Sequence, residues 1–157
     1  MTDQTLPPNQ ASLEISLLSL VNRALILPSS AIVEVVSLAM PQVVAKMPRW
    51  FLGYLPWRGL KIPFISFEAV CETSFKIHAE SNIVILKTIT ASLNQKFFAM
   101  LIQNTPVKFT IHSNTLEDVV GDLAPYEIAN VRLNNILAKI PNSSALEHLM
   151  IEQGVLN

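Results

Sequence analysis

A chain of 157 residues has room for one domain or two closely joined half-domains, and at that length roughly 70% of the unfolded surface can be buried without disulfide or metal staples. Eleven Lys and Arg against twelve Asp and Glu leave a net charge of -1, which excludes the positive field that phosphate backbones require. The single cysteine, Cys71, excludes an internal disulfide and a thiolate metal cluster.

A hydrophobic fraction of 50% and a mean hydropathy of +0.40 raise the question of a membrane span. The uncharged runs Ala24 to Val33, Val35 to Ala45 and Phe97 to Val107 fall well short of the ~20 residues that a bilayer helix needs, and proline interrupts them. Asp3 and Pro7-Pro8 stand where a signal peptide would be basic and then apolar. The expectation is a cytoplasmic protein, not inserted in a membrane, whose excess apolar surface is covered by partners.

In chain order, residues 1–11 are polar and proline-interrupted, which predicts a disordered lead. From Ser12, Leu13, Ile15 and Leu17 alternate with Ser12, Glu14 and Ser16, the pattern of a half-buried strand. Asn22-Arg23 is a turn into Ala24 to Leu27, Pro28-Ser29-Ser30 starts a brief helical segment with serine available as a cap, and Ile32 to Leu38 is rich in β-branched residues.

The stretch from Pro48 to Phe67 holds six of the eleven aromatic residues and two of the four glycines. Pro48 to Leu52 predicts one helical turn ended by Gly53, since glycine takes left-handed dihedrals cheaply. Tyr54 to Trp57 and Leu60 to Ser66 then read as strands joined at Arg58-Gly59 in a tight hairpin. Ser66 caps a short helix through Glu72, with Cys71 as a small hydrophobe on its apolar face.

Residues 73–81 are polar and mark a boundary between halves. Beyond them, Ile83 to Ile89 and Phe97 to Gln103 are apolar runs of strand length, and Val107, Phe109 and Ile111 alternate with Lys108, Thr110 and His112. Thr115 to Ala124, with Glu117, Asp118 and Asp122, reads as an exposed acidic loop. Tyr126 to Leu133 and Ile136 to Ile140 flank Asn134-Asn135 as a second hairpin, and Ser144-x-x-Glu147 is a capping-box signature for a last helix stopped by Gly154. Roughly ten short strands with few helices argue for small barrels or a sandwich.

No catalytic constellation emerges. His78, His112 and His148 lack metal-ligand spacing, there is no phosphate loop or nucleophile elbow, and the acidic loop lacks the glycine and further ligands of a calcium site. The aromatic and basic residues between Lys46 and Lys61 invite comparison with base-stacking barrels, but the hairpin core needs those rings and acids dominate elsewhere. On residues alone, Arg58 either stacks on Trp57 or Tyr54 and faces water or pairs with Glu34 as a bidentate donor beside a docking groove.

The pattern Gly53-x-x-x-x-Arg58-Gly59-x-x-Ile62-Pro63-x-Ile65, preceded by Ile32-Val33-Glu34-Val35 and by Pro48 with Trp50, resembles the signature of the CheW coupling-protein family of bacterial chemosensory systems. Trp57-Arg58-Gly59, in place of the commoner Asn-Leu-Arg-Gly, is similar to the pilus-associated adaptors of the ChpC and PilI kind. The resemblance implies an all-β fold with short helices, two five-stranded SH3-like barrels sharing a hydrophobic core, over approximately residues 12–78 and 79–141, with a C-terminal helix at 143–152. It implies a non-catalytic adaptor, without cofactor or metal, coupling the cytoplasmic tip of a methyl-accepting receptor to the regulatory domain of a CheA-type histidine kinase and connected with type IV pilus twitching. The alternative is a scaffold that self-associates or binds other signalling proteins without kinase coupling.

The resemblance also carries over a receptor and kinase interface at Ile32, Glu34, Gly53, Trp57 and Arg58. Ile32 would line a groove, and Gly53 would let a partner helix approach the backbone. Their plainer readings are a core aliphatic and a turn glycine. In the second half the family's Gly-Leu-x-Val-Asp segment is absent, and the nearest stretch, Phe97 to Asn104, offers an apolar run able to bury an edge against a partner.

Overall fold

The computed structural model describes residues 12–71, 77, 80–112 and 114–157. The lead over residues 1–11, His78, Glu72 and most of the expected boundary at 73–81 lie outside them. The strands are β1 (Ser12–Ser19), β2 (Ala24–Pro28), β3 (Ile32–Ser37), β4 (Phe51–Trp57), β5 (Leu60–Ile65), β6 (Asn82–Lys87), β7 (Phe97–Ile102), β8 (Val107–His112), β9 (Glu117–Asp118), β10 (Glu127–Leu133) and β11 (Ile136–Pro141). Two short helices, α1 (Phe67–Val70) and α2 (Ser143–Glu152), follow β5 and β11.

These strands form two sheets, ordered β8-β1-β2-β11-β10-β9 and β3-β6-β7-β5-β4, the basis of two SH3-like β subdomains. The first sheet has a sixth strand where five were expected. Glu117 and Asp118 pair with Arg132 and Val131 and are strand, although the charge pattern reads as loop. Each sheet also takes strands from both sides of residues 73–81, so a division of the chain there does not separate the sheets. The cause is long-range pairing: β2 lies parallel to β11 through Leu25 and Lys139, and β5 parallel to β7 through Phe64 and Ala99.

Strand periodicity explains how two sheets share one interior. Side chains alternate between faces along a strand, and here both faces are covered. On β1, Ile15 and Leu17 fill the first sheet's own core and Leu18 turns to the shared one; on β2, Ile26 and the pair Leu25 and Leu27 divide likewise. In the second sheet, Ile83, Ile85, Ala99 and Leu101 face inward, while Val84, Leu86, Phe98, Met100 and Ile102 meet the first sheet. Each of these side chains larger than alanine, fully buried, contributes about 1.5–3 kcal/mol. This is why β6 and β7 read as unbroken apolar runs, and why β1 is buried on both faces over Ile15 to Leu18 where one wet face was expected. Its buried Ser16 is satisfied by Ser29 Oγ at 2.9 Å, and that contact, not capping, occupies the serine of the 3-10 turn Ser29–Ala31.

Two buried carboxylates fasten the subdomains reciprocally. Glu68 on α1, which follows β5, accepts the backbone N–H groups of Val21 and Asn22 in the β1–β2 turn at 2.9 and 2.7 Å. Glu147 on α2, which follows β11, accepts those of Ile89 and Thr90 after β6 at 2.7 and 2.9 Å. The capping box expected at Ser144 and Glu147 is therefore not formed. Asn142 caps α2, its Oδ1 accepting from Ala145 N at 3.1 Å, because asparagine caps as well as serine and stands directly after the end of β11.

Glu147→Ala removes two hydrogen bonds from backbone N–H groups to a buried carboxylate, and at about 1.5–3 kcal/mol for a hydrogen bond to a charged group the expected loss of stability is roughly 3 kcal/mol. A lowered urea midpoint, with a smaller drop for Glu147→Gln, is the measurement that checks it.

Candidate functional site

β3 and β4 are the two edges of the second sheet, and the sequence-predicted residues gather where these edges meet. A bulge between Ile32 and Glu34 interrupts the pairing of β3 with β6. The β4–β5 hairpin turns at Arg58 and Gly59, with φ of 48 and 75°, the paired left-handed geometry of a two-residue turn that suits the sheet's twist. Trp57 and Leu60 close it as partners.

Glu34 reaches across from β3. Its Oε1 accepts from Trp57 Nε1 and from Arg58 Nη2, each at 3.0 Å. The Arg58 guanidinium lies 4.6 Å from the Trp57 ring centroid, and the buried Trp57 packs edge-on against Phe97 at 5.1 Å. Arg58 thus does both things the residues suggest: it stacks on the indole and pairs with the acid. The pairing is not bidentate: the guanidinium and the indole N–H both bond to the one oxygen, Oε1.

The clasp bridges first and last strands, so it lies over the closing seam of the curled sheet. The seam continues at Gln42, whose N–H and carbonyl pair with the carbonyl and N–H of Tyr54 at 2.8 and 3.0 Å. Gly53 permits that pairing. It is not a turn residue but lies inside β4 at a bulge, with φ +134°, and an added Cβ would stand 2.5 Å from the Gln42 carbonyl oxygen. The space imagined for a partner helix is occupied by the chain's own Pro41 and Gln42. Where a helical turn was expected over Pro48 to Leu52 there is a single tight turn, Phe51 N donating to Pro48 O at 3.0 Å, and Phe51 already belongs to β4. Ile32 is half-buried and packs against the shared core.

Magnitude separates this clasp from a structural ion pair. The side chains of Arg58 and Glu34 are 62% and 38% exposed, and pairs so solvated contribute about 0–1 kcal/mol. Arg23 and Glu127 present the contrast, at 2.5 Å with side chains nearly sequestered. Glu127 also accepts from Ala124 N at 2.8 Å and faces Lys139 at 3.5 Å. Glu68, Glu127 and Arg23 carry no motif, and the motif that Glu147 matches assigns it a different role. The sequence signal at Glu68 and Glu127 is a lone charge between apolar or aromatic neighbours, as in Phe67-Glu68-Ala69.

Cys71 caps α1, lies in the shared core, and its thiol donates to Pro125 O at 3.0 Å. Burial pushes its pKa up from 9.0 to about 11, opposed by nearby Arg23 and aided by Glu127 and Glu68. His112 lies exposed on β8, and His148 Nε2 stands 3.1 Å from Glu152 Oε1 on an exposed helix face. Among the described residues no group of His, Cys, Asp and Glu is arranged to hold a metal ion, and no helix is long and apolar enough to cross a membrane.

Gly53→Ala, which forces a strained φ and a collision with backbone, is expected to cost about 1–3 kcal/mol, read as a lower thermal or urea midpoint. For Cys71 the folded pKa lies above the unfolded one, so its contribution to stability is intact below pH 9.0 and declines as pH rises toward about 11. Native protein at pH 8 is therefore expected to resist thiol alkylation that unfolded protein undergoes readily.

The profile described as a CheW-like domain matches residues 14–148. No curated protein matches the sequence. Among solved structures, the scaffolding protein TtCheW from Thermoanaerobacter tengcongensis superposes with a TM-score of 0.77 at 18% identity, over 94% of this chain and all of that one.

Proposed function

The chain belongs to the CheW-like domain family, and from that premise we propose that it is a non-catalytic chemosensory adaptor in the cytoplasm. In this reading it couples the cytoplasmic tip of a methyl-accepting receptor to a CheA-type histidine kinase, in the branch that controls type IV pili. The carrying observation is the clasp of Glu34, Trp57 and Arg58: an ordered charge pair held largely in solvent, where it adds little to stability and offers a partner a rigid, oriented guanidinium.

A receptor's helical hairpin would lay apolar side chains beside this clasp. Gly53 and Ile32 act behind it, the one by admitting Gln42 to the seam, the other by supporting β3 from the shared core. Contact with a kinase must use another surface than the apolar run Phe97 to Ile102. That run is β7, an interior strand paired with β6 and β5, and has no free edge to give. The departure of this run from the family pattern is what favours the second reading, a scaffold that self-associates without kinase coupling.

Arg58→His is expected to weaken receptor-tip binding about tenfold, the effect of a modest interface hot spot, with the unfolding midpoint nearly unchanged. Equal binding by variant and wild type in calorimetry would sink the clasp as a docking element. Co-purification separates the two readings: receptor and kinase together support the adaptor, self-association alone the scaffold.

A further inference from the structure

β5 and β7 are paired over only two residue pairs, Phe64 with Ala99 and Ile65 with Met100. Toward the hairpin end the strands splay, and a wedge-shaped cavity of about 200 Å³ opens between Leu60 to Ile62 on one side and Asn94 to Phe97 on the other. Its walls are apolar at Leu60, Ile62 and Phe97, and Lys61 and Lys96 stand on opposite rims. Phe97 also carries the Trp57 ring, so the wedge adjoins the clasp.

Both ionised side chains that line the wedge, Lys61 and Lys96, are basic, and Lys87 stands opposite Phe97 on β6. Glu34, the acid of the adjoining clasp, is already engaged by Trp57 and Arg58. Lys96 Nζ donates to Leu93 O, which holds that ammonium at the rim.

We propose that this wedge is a socket for one apolar side chain of an acidic amphipathic helix, whose carboxylates, one turn to either side, meet Lys61 and Lys96. The inference rests on the adaptor reading and specifies the chemistry of the helix that reading requires. A cavity this size suits a single aliphatic side chain, and residues three or four apart on a helix bracket it. An added strand would need a long open edge, which the short splay does not supply. Stacked nucleic-acid bases would need an open ring face, whereas Trp57 is buried and covered by Arg58.

The test titrates the full chain with the helical tip of a chemoreceptor from its source organism, at low and high salt. Wild type is compared with the double variant Lys61→Glu/Lys96→Glu and with Leu60→Ala; all three positions are exposed, and circular dichroism confirms folding. The double variant is expected to bind about tenfold more weakly at low salt and to lose most of its salt dependence, while Leu60→Ala weakens binding at both salts. Undiminished binding by the variants overturns the socket and leaves the adaptor reading standing. Failure of the wild type to bind the tip overturns both. Wild-type retention on single-stranded DNA that the double variant loses, with tip binding indifferent to Leu60→Ala, overturns the helix in favour of a general polyanion site.

Discussion

The molecule depends on a hydrophobic layer that belongs to neither sheet alone. Leu18, Leu25 and Leu27 from one side meet Val84, Leu86, Phe98 and Met100 from the other, and Leu146 and Met150 of α2 close the layer. Removing either sheet would expose the back of its neighbour, so neither subdomain has a complete core in isolation. The two carboxylate clips act at the margins of this layer. Each sits on the helix that follows one sheet and holds a turn of the other by two backbone N–H groups, which satisfies a carboxylate that is itself buried.

Against this background the Glu34 clasp is the opposite kind of interaction. Arg23 and Glu127 are enclosed, so losing Arg23 would leave a buried carboxylate to the more distant Lys139 ammonium at 3.5 Å. Arg58 is solvated, and its loss costs the fold little. Its position nonetheless depends on the interior. Trp57 is fixed by Phe97, the hairpin by two left-handed residues, and the seam by Gln42 resting on Gly53. A rigid base beneath a solvated head suits recognition, because ordering the contact costs a partner little entropy.

How far the residues alone reached follows from the range of the interactions involved. Both two-residue hairpin turns, at Arg58-Gly59 and Asn134-Asn135, were legible because positive φ is a local demand met by a short list of residue types. The meeting of Glu34 with Arg58 was readable only through a family pattern, since 24 residues separate them and no local rule joins an acid on β3 to a turn after β4. Gly53 misled because left-handed freedom serves a turn and a close backbone approach equally well. Glu147 misled because a glutamate three residues after a serine matches a cap, and nothing nearby in the chain reveals that Ile89 and Thr90 lie within its reach.

What the sequence by itself determined was the all-β class, the hairpins and the aromatic cluster that props up Arg58, because period-two alternation, turn chemistry and ring density are written over a few consecutive residues. Only the tertiary structure decided which strands share a sheet, that β1 is buried on both faces, and that β7 is interior. It also decided that the buried acids hold backbone amides and that a basic-rimmed wedge opens beside the clasp. Each of these depends on contacts between residues far apart in the chain, where the free energy comes from apolar surface and amide groups closed off together and is not assignable to any single segment.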